Sequence, residues 1–133
     1  MVALDHAGLS VADLDRAVGF YGRAFGFESE FAFDLPHEIR GVMLRLPSGG
    51  RLELFARPDS SGGLRADSPL EALVTRGSGH VALDTADIDG AYALALEAGA
   101  AERVSPRPSP EPGVRFAFLA DPEGNLVELV ERS

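Results

Sequence analysis

The chain carries one message twice. Asp5-His6-Ala7-Gly8-Leu9, followed by Asp13-Leu14-Asp15-Arg16-Ala17-Val18, is echoed by Gly79-His80-Val81-Ala82-Leu83 and then Asp87-Ile88-Asp89-Gly90-Ala91-Tyr92. The offset between the histidines is 74 positions, and Asp13 and Asp87 share it. Pro47-Ser48-Gly49-Gly50-Arg51-Leu52-Glu53-Leu54 is answered by Pro122-Glu123-Gly124-Asn125-Leu126-Val127-Glu128-Leu129 at an offset of 75, so a single indel separates the copies. Repetition at this period means two copies of one supersecondary unit. Each is too small to bury its own apolar face, so the copies must pack together or with a partner.

Periodicity gives each copy the same order of elements. Alternation over Val2–Val11 predicts a strand with Leu4, His6 and Gly8 on one face and Ala3, Ala7 and Leu9 on the other. Asp13 is a good N-cap for a helix over about 14–25, whose apolar stripe is Leu14, Ala17, Val18, Tyr21 and Phe25 and which Gly26 stops. Strands are expected at Phe27–Asp34, Ile39–Leu46 and Arg51–Ala56. The second copy predicts a strand over Ser78–Asp84, a helix over Ile88–Ala98 between Asp87 and Gly99, and strands at Ala101–Ser105, Val114–Ala120 and Asn125–Glu131. The fold class is therefore α+β: two tandem β-α-β-β-β modules forming a curved mixed sheet around a cleft.

A single domain is expected, with module 1 over about 1–56, a linker over about 57–77 and module 2 over about 78–133. The linker, rich in Ser, Gly, Asp and Pro, is read as irregular, with one short helical turn near Leu70–Val74. Four prolines in Pro106–Gly113 predict a stiff, extended loop.

Composition narrows the function classes. Zero cysteine removes disulfides, thiolate metal sites and cysteine nucleophiles, so any metal must be held by nitrogen and oxygen. A net charge of −9 argues against nucleic acid or an anionic membrane as the main partner. The chain start has no basic-then-apolar pattern, and no apolar run approaches the ~20 residues of a membrane span, so a cytoplasmic protein is expected.

Strand parity then singles out four residues. Glu53 lies between Leu52 and Leu54, Glu128 lies between Val127 and Leu129, and both histidines have apolar neighbours that would pack on a helix. All four should project from the face opposite the helices, where a carboxylate without a partner costs several kcal/mol of desolvation. His6, Glu53, His80 and Glu128 are thus candidate ligands for one divalent ion. Two imidazoles with two carboxylates suit Ni, Co, Zn, Fe or Mn and leave positions for water or substrate.

Those stretches, with Ala17-Val18-Gly19-Phe20-Tyr21 through Phe25-Gly26-Phe27-Glu28 and Asp121-Pro122-Glu123-Gly124-Asn125-Leu126-Val127-Glu128-Leu129, resemble the vicinal oxygen chelate superfamily over essentially the whole chain. That superfamily contains glyoxalase I, bleomycin and fosfomycin resistance proteins, extradiol dioxygenases and methylmalonyl-CoA epimerase. A His/Glu/His/Glu set is similar to that of glyoxalase I. The resemblance implies a metal-dependent lyase or isomerase acting on a small α-oxygenated carbonyl or thioester. Glu53 and Glu128 would be ligands that also shuttle a proton between adjacent carbons. The alternatives are a non-haem iron dioxygenase and a non-catalytic drug-binding or resistance protein.

The chain departs from the glutathione-using pattern. Ser10 stands where a basic residue for the glutathione carboxylate is expected, and Arg57 stands in place of an Asn. Replacement anion contacts could come from Arg40, Arg45, Arg57 or Arg115; Phe31, Phe33, Met43, Phe55, Phe116 and Phe118 are candidate pocket residues. His37 has no counterpart in the second copy. Asp5 and Asp84 are candidate acceptors for the imidazoles, with opposite strand parity weighing against Asp5. A homodimer is expected, with module 1 of one chain beside module 2 of the other.

Overall fold

The computed structural model describes residues 1–132. The chain forms two compact units, Met1–Gly62 and the chain from Gly63 onward. The first contains strand β1 (Ala7–Ser10), helix α1 (Leu14–Phe25) and strands β2 (Glu28–Leu35), β3 (Ile39–Arg45) and β4 (Arg51–Ala56). The second contains a short helix α2 (Pro69–Ala72), then β5 (His80–Asp84), α3 (Ile88–Glu97), β6 (Ala101–Pro108), β7 (Val114–Ala120) and β8 (Leu126–Arg132). Each β-α-β-β-β module makes its own four-stranded mixed sheet, in the orders β1-β4-β3-β2 and β5-β8-β7-β6. This is the α+β, twice-repeated architecture expected from the sequence.

Local chemistry fixes the helices as the repeat foretold. The Asp13 carboxylate accepts from the Arg16 amide at 3.0 Å, and the Asp87 carboxylate accepts from the Gly90 amide at 3.0 Å, each satisfying an otherwise orphaned N–H. Gly26 ends α1 with φ of 82°, a left-handed conformation that glycine adopts without strain. Leu14, Ala17, Phe20, Tyr21 and Ala24 of α1 are buried, as are Val42, Leu44, Leu52 and Leu54 of the sheet. In the second module Ile88, Tyr92 and Ala95 are buried together with Ala117, Leu119, Val127 and Leu129. Burying one such large side chain stabilises the fold by about 1.5–3 kcal/mol.

The turns that set strand register are the same in both modules. In the first, the Leu46 amide donates to the Gly50 carbonyl at 2.7 Å and the Gly49 amide to Leu46 at 2.9 Å. In the second, Asp121 bonds Asn125 at 2.8 Å and Gly124 bonds Asp121 at 2.9 Å in the same pattern. The buried Asp121 carboxylate also accepts from the Glu123 amide, the Asn125 amide and the Asn125 side-chain amide, each at 2.9 Å. Both copies also carry a bulge: the pairing slips between Ser29 and Phe31 and again between Glu102 and Val104. One extra residue there returns Phe31 and Val104 to the sheet face that bears the glutamates.

Several expected boundaries move. The first strand starts at Ala7 rather than Val2, leaving Val2 and Leu4 exposed. The register explains this: Ala7 pairs with Leu52 and β4 begins at Arg51, so residues before His6 have no β4 residue to pair with. Strand β6 runs on to Pro108, taking in the start of the expected proline loop. Part of the expected linker is packed structure: Ala66 and Ala72 are buried against Phe118 and Leu126, with Leu64, Val104 and Phe116 alongside. No helix among the described residues is long and apolar enough to cross a membrane.

Candidate metal and proton-transfer site

Register determines what the two faces of each sheet carry. Leu52 and Leu54 belong to the buried core, and between them Glu53 points to the opposite face. Gly8 is the cross-strand partner of Glu53, and Ala82 is the partner of Glu128. In both modules the histidine lies two residues before that partner, on the same face and diagonal to the carboxylate. Two small residues, Gly8 and Ala82, leave the diagonal open. His6 Nε2 accordingly lies 3.2 Å from Glu53 Oε1, and His80 Nε2 lies 3.0 Å from Glu128 Oε2. The carboxylates are largely covered, with 19% and 21% of their side chains exposed, so each depends on its imidazole or on a cation for compensation.

The structure thus joins His6 to Glu53 and His80 to Glu128. Among the described residues, no three or more His, Cys, Asp or Glu side chains are grouped so as to hold a metal ion. Each pair fits half of one. Two atoms bound at right angles to an ion at ~2.1 Å stand ~3 Å apart, which matches both Nε2–Oε separations.

The surroundings of the two pairs differ. His6 Nδ1 is 2.6 Å from Asp5 Oδ2, and that bond raises the imidazole above its ordinary pKa against an opposing desolvation effect, with Glu53 adding to the rise. The same bond holds the Asp5 carboxyl below its usual range. Asp5 reaches the ring despite its opposite strand parity, because it stands two residues before β1 begins at Ala7 and its side chain is not held to the strand's alternation. Asp84 makes no hydrogen bond to His80 among the described residues. His80 instead meets the Phe118 ring edge-on, with centroids 5.1 Å apart.

Met43 pairs with Glu53 and Phe118 pairs with Glu128, which places apolar side chains beside both carboxylates. One step along the first sheet, Phe33 and Phe55 meet edge-to-face at 5.8 Å across Gly41, with Phe31 joining at 6.0 Å. A Cβ at Gly41 would stand 2.4 Å from the Phe33 ring, so glycine is what lets that ring cross the strand. Phe116 and Phe118 lie on the Glu128 face, under the Leu64–Ala72 segment.

The candidate anion contacts are mostly engaged. Arg57 bonds Asp59, Arg115 makes paired bonds of 2.9 and 3.1 Å to Asp89, and Arg40 lies 3.7 Å from Asp15. His37 sits in the β2–β3 turn with φ of 67°, beside Glu38 at 60°.

Residues 3–129 match the family described as the Glyoxalase/Bleomycin resistance protein/Dioxygenase superfamily. The chain belongs to that superfamily. This glyoxalase-superfamily chain is 32% identical to a 2-epi-5-epi-valiolone epimerase of Actinomyces sp., over 97% of its own length and 79% of the relative's. Among solved structures it resembles a glyoxalase family protein from Enterococcus faecalis (25% identity, TM-score 0.78, 97% of both chains). It also resembles a glyoxylase/bleomycin resistance protein/dioxygenase domain from Frankia sp. EAN1pec (17% identity, TM-score 0.82, 100% of this chain and 93% of that one). The fold of maize glyoxalase I matches with a TM-score of 0.77 at 24% identity, and there the chain spans 44% of the relative's length.

Proposed function

We propose that this protein is a metal-dependent isomerase or lyase that moves a proton on a small α-oxygenated carbonyl compound, with His6, Glu53, His80 and Glu128 as ligands of one divalent ion. The observation that supports this reading is the duplicated register: the same diagonal His/Glu pair, at 3.2 and 3.0 Å, in two modules whose sequences otherwise differ widely. Ni, Co, Zn, Fe and Mn all accept two imidazoles and two carboxylates. Such an ion, when bound, supplies Lewis-acid polarisation of the substrate oxygens.

The carboxylates do the remaining chemistry. One of Glu53 and Glu128 takes the proton from the carbon next to the carbonyl, and the electron pair of the broken C–H bond passes toward the carbonyl oxygen. For inversion the other glutamate, in its protonated form, delivers a proton to the opposite face of the same carbon; for isomerisation the proton goes to the neighbouring carbon. In either case the electron pair returns from the oxygen to form the new C–H bond. The relative named as a 2-epi-5-epi-valiolone epimerase favours inversion over isomerisation. Apolar Met43 and Phe118 beside the two carboxylates limit water there.

We further infer a homodimer in which the His6/Glu53 pair of one chain and the His80/Glu128 pair of its partner would serve one ion. Incubating the metal-loaded protein in D₂O with 2-epi-5-epi-valiolone and with hemithioacetals tests the reading, with NMR following deuterium entry next to the carbonyl. Deuterium uptake that depends on both glutamates is expected. Oxygen consumption by the Fe²⁺ form without solvent exchange would replace the reading with a dioxygenase.

A further inference from the structure

Asp5 and Gly79 occupy corresponding positions in the repeat, each directly before a histidine, and only the first carries a carboxylate. His6 is therefore held on two sides, by Asp5 Oδ2 at 2.6 Å from Nδ1 and by Glu53 Oε1 at 3.2 Å from Nε2. With Nδ1–H donated to Asp5, Nε2 on the Glu53 side is the nitrogen left with a lone pair when the ring is neutral. A carboxylate accepting from one ring nitrogen also makes the other a stronger donor to a cation. No carboxylate reaches His80 Nδ1 among the described residues, and its ring is braced by the edge-on contact with Phe118.

We propose that Asp5 is a positioning residue that fixes the tautomer and ring orientation of His6, making the first module's pair the tighter-holding half of the divalent-cation site. This rests on the metal reading above. The second module, with Gly79 in place of Asp5, shows that this fold accommodates glycine before the histidine. A Cβ built on Gly79 meets nothing within 4 Å, so the carboxylate can also be introduced there.

The test is a Co²⁺ titration of chelator-treated protein, followed by visible absorption, for the wild type, Asp5→Gly, Asp5→Glu and Gly79→Asp, with circular dichroism as the check on folding. Asp5→Gly is expected to weaken binding about 10–100-fold, with Asp5→Glu restoring most of it and Gly79→Asp strengthening it. ¹⁵N NMR of the metal-free protein, at a pH where the ring is neutral, should show His6 as the Nδ1–H tautomer in the wild type and as a mixture in Asp5→Gly, with His80 unchanged. Wild-type Co²⁺ binding that Asp5→Gly leaves unaltered, or a wild-type His6 in the Nε2–H form, overturns the proposal. Should the wild type bind no Co²⁺, the metal reading fails and the tautomer measurement alone decides the role of Asp5.

Discussion

His80 reaches Glu128 diagonally across the parallel β5–β8 pair, its Nε2 3.0 Å from Oε2, because the glutamate's direct partner is the small Ala82. The glutamine variants are the sharpest probe of what the two carboxylates do. Glu53→Gln and Glu128→Gln keep side-chain volume but remove a base and weaken a ligand, so each should lower turnover by about 10²–10⁴-fold while the fold persists. Turnover of a defined substrate with metal-replete variants is the measurement; wild-type rates in both would dismiss proton transfer by these groups.

The Asp5–His6 bond gives a pH signature in metal-free protein. His6 is raised above 6.5, so its contribution to stability is fully present below that pH and is lost as pH rises through the raised value. Asp5 is lowered below 3.8, so its contribution is present above that pH and is lost as pH falls through the lowered value. The difference in Tm between wild type and Asp5→Asn should therefore be largest between pH 3.8 and 6.5 and shrink on either side. Thermal melts across pH in the presence of a chelator check this; a difference that grows above neutrality contradicts it.

Asp121→Ala should destabilise the protein by about 1–3 kcal/mol, because it leaves the partly buried amides of Glu123 and Asn125 without their carboxylate acceptor. The Asp121 carboxylate is 4% exposed and accepts three hydrogen bonds. Urea unfolding would show the shift, and loss of His/Glu function should accompany it if the turn sets the position of Glu128.

Ala66→Asp or Ala72→Asp should free the Leu64–Ala72 segment from Phe118 and Leu126, since a charge in that apolar contact is costly to bury. Arg65, near the start of the segment, becomes the reporter: trypsin should cut after it markedly faster in Ala72→Asp, which leaves the residues flanking that bond unchanged. Equal cleavage rates would show that the packing does not hold the segment.

If the two His/Glu pairs of a site come from different chains, mixing His6→Ala and Glu128→Ala chains should restore one intact site per heterodimer. Activity or Co²⁺ binding in the mixture, absent from either variant alone, is the expected result. A monomer by light scattering at micromolar concentration would remove the shared site.

The sequence alone determined the elements that rest on local chemistry. Asp13 and Asp87 announce the helices because a side-chain oxygen three residues before an orphan N–H needs no tertiary help. The alternation Leu52-Glu53-Leu54 and Val127-Glu128-Leu129 announces which side chains share a face because strand geometry has a period of two. Repetition at an offset of 74 to 75 residues singled out His6, Glu53, His80 and Glu128 as one repeated set before any coordinates; that each histidine lies against the glutamate of its own module came from the tertiary structure. Tertiary structure decided what depends on distant partners. Val2 and Leu4 alternate like a strand but have no β4 residue to pair with, so β1 begins only at Ala7. The bulges at Glu30 and Arg103 arise from register against β3 and β7, which no local pattern records. Asp5 reaches the His6 ring because the chain is not yet a strand there. Ala66 and Ala72 look like linker residues until the Phe118 and Leu126 face exists for them to cover, and burial against a surface built from remote strands has no signature in the segment that does the covering.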